Sequence, residues 1–146
     1  MSRVYLIAAD KPLPFCNMEE TRTWTMKLSE HFQNPALRGQ ERVMSGICTF
    51  SVQEHSYYRS AVNALELEMK PFQYELEVEN DQWGVDQLTA YLKENLLPGD
   101  TAELWSLWVG DSLGRPVRYA GALVDFDLET IQQFFSAEAI CITITI

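Results

Sequence analysis

From Phe72 to Glu79 the chain alternates without fault, with Phe72, Tyr74, Leu76 and Val78 on one side and Gln73, Glu75, Glu77 and Glu79 on the other. A period of two sends successive side chains to opposite faces, so this stretch is a half-buried strand. It opens the run of elements that most constrains the fold. A helix follows, capped by Asp86, with Leu88, Tyr91, Leu92 and Leu96 on one stripe and Pro98-Gly99-Asp100 as its stop. Ala102–Val109 and Pro116–Val124 read as two strands of a hairpin joined by Gly110–Arg115. Asp127 caps a last helix with Leu128, Ile131 and Phe135 on its apolar stripe. Ala139–Ile146 closes the chain as a strand, with Ile140, Ile142, Ile144 and Ile146 on one face.

Strand, helix, strand, strand, helix, strand is the order of a ferredoxin-like βαββαβ unit. The expected class is α+β, with that unit over 71–146 and an N-terminal β/α extension over 1–70 packed on its sheet, in a single domain. The extension is less regular. Arg3–Ala9 is a short apolar run that reads as a buried strand, and Asp10–Glu20, with two prolines, as a loop. Over 22–33 Trp24, Met26 and Leu28 alternate like a strand, while Trp24, Leu28 and Phe32 repeat like a helix, and the helix is preferred. Asn34-Pro35 and Gly39 mark a turn and a loop. Val43–Val52 is a second strand. Ser56–Met69 is a helix with Ser56 as cap, although its tail Leu65-Glu-Leu-Glu-Met69 also alternates. In the strand at Ala102–Val109, Leu104 and Trp108 face one way and Trp105, Leu107 and Val109 the other. A sheet with helices on one face only would leave the second side bare, so the neutral first half or a partner subunit must cover it.

Charge is segregated along the chain. The net charge is −10, and residues 1–70 balance eight acids against eight bases, so all of the excess falls after residue 70. Such a field gives nucleic acid no electrostatic footprint and disfavours anionic membranes. It favours a basic partner. Three widely spaced cysteines without a CxxC pair argue against a disulfide framework or structural zinc and point to a reducing, cytoplasmic setting. The short N-terminal apolar run is too brief for a secretory signal, and no stretch approaches a membrane span.

Residues that could carry chemistry are few. Glu75, Glu77 and Glu79 line one strand face at about 6.6–6.8 Å spacing, too far apart to wrap one ion, with Glu103 the nearest acid on another strand. They read as a solvated face or a dock for a basic protein. Asp125-Phe-Asp127-Leu-Glu129 lacks the glycine and distal glutamate of a calcium loop and reads as a helix cap. Glu54, His55 and Ser56 are consecutive and cannot converge as a triad. Cys16 sits in a loop without a basic neighbour to activate it. No phosphate-binding glycine loop occurs, so no catalytic residue, metal site or cofactor is assigned. Tyr57, Trp83 and one of Trp105 or Trp108 are candidate interface anchors. These features lead to a non-enzymatic, inhibitor-like or immunity-like domain that binds a basic protein through Glu75, Glu77, Glu79, Glu103, Tyr57 and Trp83. The alternatives are a regulatory domain, expected as a homodimer, that takes a small molecule at the Trp83-Gly84 loop, and an enzyme with a scattered site.

Overall fold

A computed structural model describes residues 2–27, 41–110 and 115–146. Seven strands form one sheet in the order β2-β3-β4-β1-β5-β7-β6. They are β1 (Ser2–Ala9), β2 (Cys16–Lys27), β3 (Glu41–Glu54), β4 (Phe72–Glu77), β5 (Thr101–Val109), β6 (Val117–Ala122) and β7 (Ile140–Thr145). Among the described residues three helices accompany them: α1 (Arg59–Asn63), α2 (Gln82–Asn95) and α3 (Leu128–Ser136), with a short 3₁₀ turn at Leu123–Asp125. The chain divides into two compact units, a larger one of Met1–Asn17 with Phe50–Ile146, and a smaller one of Met18–Thr49. The smaller unit is built on β2 and β3, which are neighbours in the sheet.

The fold class is α+β, and the strand-helix-strand-strand-helix-strand order is found over Phe72–Thr145. The ferredoxin-like pairing is not. In that arrangement β6 would lie between β4 and β5; here β1 takes the slot, antiparallel to both. The N-terminal strand is therefore in the sheet rather than packed on it. The reason is its composition: Val4, Leu6 and Ala8 on one face and Ile7 and Ala9 on the other are all buried, and only a central strand covered on both sides can hide both sets. Nor do β5 and β6 form a hairpin. β7 runs between them, antiparallel to β5 and parallel to β6. Ile140, Cys141, Ile142 and Ile144 are buried, whereas every residue of β6 is exposed, so the more apolar strand takes the inner position. The turn expected between them, at 111–114, lies outside the described residues.

Other boundaries move for local reasons. Residues 16–27 are strand, not loop and helix; the threonines at 21, 23 and 25 are β-branched and alternate with Arg22, Trp24 and Met26. Leu28, His31, Phe32, Asn34-Pro35 and Gly39 lie outside the described residues. The helix expected over Ser56–Met69 stops after one turn. Its N-cap is Tyr58 without a side-chain bond, and Glu66 has φ +53°, a left-handed conformation that breaks the helical path. The alternation of Leu65, Leu67 and Met69 wins instead and lays these three side chains on the sheet.

Both faces of the central strands are covered. On the first, α2 and α3 bury Leu88, Leu92, Ile131 and Phe134 against Ile7, Phe50, Val52, Leu104 and the β7 isoleucines. On the second, Val4, Leu6, Trp105, Leu107 and Cys141 meet Val62, Tyr58, Ala61, Leu65, Leu67 and Met69. The cover expected from the neutral half is thus the single strap 56–70. Its C-terminal end is pinned: Lys70 N–H donates to Glu103 Oε1 (2.8 Å), Lys70 Nζ pairs with Asp10 (2.5 Å), and Arg118 donates to the Glu68 carbonyl (3.2 Å).

Asp127 caps α3 as expected, accepting from the Thr130 N–H (2.9 Å) and hydroxyl (2.8 Å). These bonds hold its carboxyl below the usual carboxylate range. A depressed folded pKa means stability present above the unfolded value and lost as pH falls through the folded one. Asp127→Ala should therefore lower the melting temperature at neutral pH and flatten part of its acid limb, measured by thermal melts across pH.

Candidate functional site

Glu75 and Glu77 stand on the second face of the sheet, where β4 meets β1 and β3. Glu75 lies opposite Leu6 of β1 and Gln53 of β3, and Glu77 opposite Ser51. Strand alternation puts Ser51 and Gln53 on the same side as the two carboxylates. Tyr58, from the strap, forms a wall. The result is a cleft of about 210 Å³ lined by Val4, Ser51, Gln53, Tyr58, Glu75 and Glu77.

One of its carboxylate oxygens, the buried Glu75 Oε1, is left without a donor among the described residues. Arg3 borders the cleft, but its guanidinium is engaged elsewhere. Nε donates to Ser106 Oγ (3.0 Å), Nη2 donates to the Ala137 carbonyl, and the group lies over the Trp108 ring at 5.2 Å. A buried acceptor without a donor costs free energy that a cationic donor entering the cleft would recover.

The structure brings together two of the six expected binding residues, with a third beside them. Tyr57 is 83% exposed, and its ring meets Tyr58 edge-on at 4.7 Å, next to the cleft. Glu79 lies beyond the end of β4 and does not line it. Glu103 is 8% exposed, and its Oε1 accepts from Lys70 N–H and from Trp105 Nε1 (3.3 Å), so it ties the strap to the sheet. Trp83 packs against the first-face core. Of the other two candidate tryptophans, Trp105 is fully buried and Trp108 partly so. Ser51, Gln53 and Tyr58 were not expected in the site. Polar positions alternating along β3 were the only signal for the first two, and the β3–β4 register was needed to use it.

The Trp83-Gly84 pair is not a loop. Asp81, not Asp86, caps α2 by accepting from the Gly84 N–H (2.9 Å), which places both residues in the first turn. Asp86 sits inside the helix and accepts from Gln82 Nε2 (2.9 Å). A Cβ on Gly84 would fall 1.9 Å from the Glu79 carbonyl oxygen. The glycine serves a close backbone approach, but to the protein's own strand end.

His55 is 1% exposed, with neither ring nitrogen hydrogen-bonded among the described residues. Burial, and then the charge of Arg59, push its pKa down. It borders a cavity of about 200 Å³ with Phe15, Glu54, Arg59, Phe72 and Tyr74. Burial, the neighbouring Glu94 and a partly offsetting bond to the Val52 backbone leave the Cys16 thiol pushed up, the reverse of an activated nucleophile. All three cysteines are free. No group of three or more metal-ligating side chains occurs among the described residues, and none of their helices is long and apolar enough to cross a membrane. Comparison with protein families, with curated proteins and with solved structures finds no match to this chain.

Proposed function

We propose that the chain is a non-enzymatic protein-binding domain whose acidic cleft takes a basic side chain of a partner protein, in the manner of an inhibitor or immunity protein. The observation that carries this reading is the buried Glu75 Oε1, without a hydrogen-bond partner among the described residues, beside Glu77 in a cleft of side-chain size. A lysine ammonium or arginine guanidinium supplies the missing donors. The net charge of −10 steers such a partner inward and speeds encounter. An exposed ion pair contributes only about 0.2–1 kcal/mol, so charge alone does not hold a complex. Tyr57, exposed beside the cleft, supplies an aromatic anchor of the kind that dominates interfaces. A reducing, cytoplasmic setting belongs to the same reading, in keeping with the three free thiols.

The immobilised full chain should retain basic proteins from a native lysate at low salt and release them as salt rises. A Glu75→Gln/Glu77→Gln double variant should lose most of that capture while melting near the parent temperature. Retention of the same proteins by the double variant, or recovery of nothing basic, would count against the proposal.

A further inference from the structure

The strap over the second face is fastened unequally. At its far end three polar contacts pin Glu68 and Lys70 to Arg118, Glu103 and Asp10. At its near end the chain leaves β3 through His55, which is 99% hidden and makes no hydrogen bond among the described residues. Between these points lie the single turn of α1 and Glu66, held at φ +53° where a side chain is strained. Cavities border the near end on both sides, one at His55 and one at the acidic cleft, and Tyr58 walls the second.

This geometry points to an acid-released latch: protonation of His55 frees residues 56–63 from the sheet and opens the Glu75/Glu77 cleft, while the pinned end stays as the hinge. The groups that face His55 explain why the closed state resists the proton. Arg59 of α1 brings a like charge, Tyr74 of β4 brings a hydroxyl that already accepts from Leu13 N–H, and Phe15 and Phe72 are apolar. Glu54, the last residue of β3, is the one acid among the residues that line the cavity, and it is exposed. In the closed state neither ring nitrogen has an acceptor among the described residues, whereas the open state exposes the imidazolium to water. The sign follows. Closure is favoured above the ordinary histidine pKa of about 6.5 and weakens as pH falls below it, by up to tenfold per pH unit until the closed-state pKa is reached. What the opening is for rests on the basic-partner reading; the latch itself does not.

Amide hydrogen exchange tests it without any partner. A His31→Gln background leaves His55 as the only histidine. The amides of Val62, Ala64 and Leu65, bonded to Tyr58, Ser60 and Val62, report closure. After correction for intrinsic rates, their protection should fall about tenfold between about pH 7.5 and about pH 5.5, while β1 and β5 hold. His55→Gln, which cannot charge, should show a flat profile. Should that variant fail to fold, the NMR titration of His55 decides, with a midpoint below the ordinary value expected. A flat profile in the parent, an unchanged slope in His55→Gln, or a midpoint at or above 6.5 overturns the latch. Those outcomes leave the basic-partner reading standing, and loss of capture with an intact exchange profile does the reverse.

Discussion

Gly84→Ala should be the most damaging small substitution in the chain, lowering the melting temperature by roughly 10 °C or preventing folding. The new Cβ would sit 1.9 Å from the Glu79 carbonyl oxygen and 2.8 Å from its carbon, and both are backbone atoms that no rotamer change can move. Relief requires the start of α2 to withdraw from the end of β4. That withdrawal breaks the Asp81 cap, worth about 1 kcal/mol, and strains the packing of Val85 and Leu88 on the first-face core. Overpacking alone costs about 1–3 kcal/mol, so the sum approaches 3–4 kcal/mol out of a usual total of about 5–15. A chain of this length loses about 2–4 °C per kcal/mol. Gly121→Ala is the control, since nothing lies within 4 Å of its Cβ and its φ is not positive. It should melt near the parent. Equal melting of Gly84→Ala and parent would show that residues 79–82 reposition freely.

Much of the larger unit was legible because period and capping are local. The alternation in β4, the isoleucine face of β7, the two-sided apolar character of β5 and the cap at Asp127 all stand where the residues put them. What could not be read is which strands become neighbours. β1 inserts between β4 and β5 because both its faces are apolar, and that advantage exists only once α2 on one side and the strap on the other are in place. The same holds for the cleft. Glu75 and Glu77 were visible as an acidic face, but their joining to Ser51, Gln53 and Tyr58 depends on the β3–β4 register and on where the strap lies. Glu103 shows the converse failure. Its type suggested the surface, and two donors, Lys70 N–H and Trp105 Nε1, keep it buried. Asp81 and Asp86 are equally good caps by residue type, and the choice fell to the close approach that only Gly84 permits.

Trp105→Ala should be as costly as any core truncation, about 3–5 kcal/mol, yet its structural consequence should fall on one face alone. The indole is fully buried beneath the strap, donates to Glu103 Oε1 and carries the Arg118 guanidinium at 4.9 Å. Its removal leaves a void among Leu65, Leu67 and Met69 and takes the platform from Arg118, whose bond to the Glu68 carbonyl pins the strap. Phe134→Ala removes a comparably buried ring from the other side, where it packs with Tyr5 and Phe135. The two variants should lose similar stability and differ in exchange. Trp105→Ala should expose the amides of α1 and of Leu65 through subglobal opening, with α3 retaining its relative protection. Phe134→Ala should loosen α3 and leave the strap at the same margin below global unfolding as in the parent. A sheet whose two covers answered identically to both substitutions would be a single cooperative body. A strap that responds only to Trp105 is an element that can open by itself, as an acid latch over the Glu75/Glu77 cleft requires.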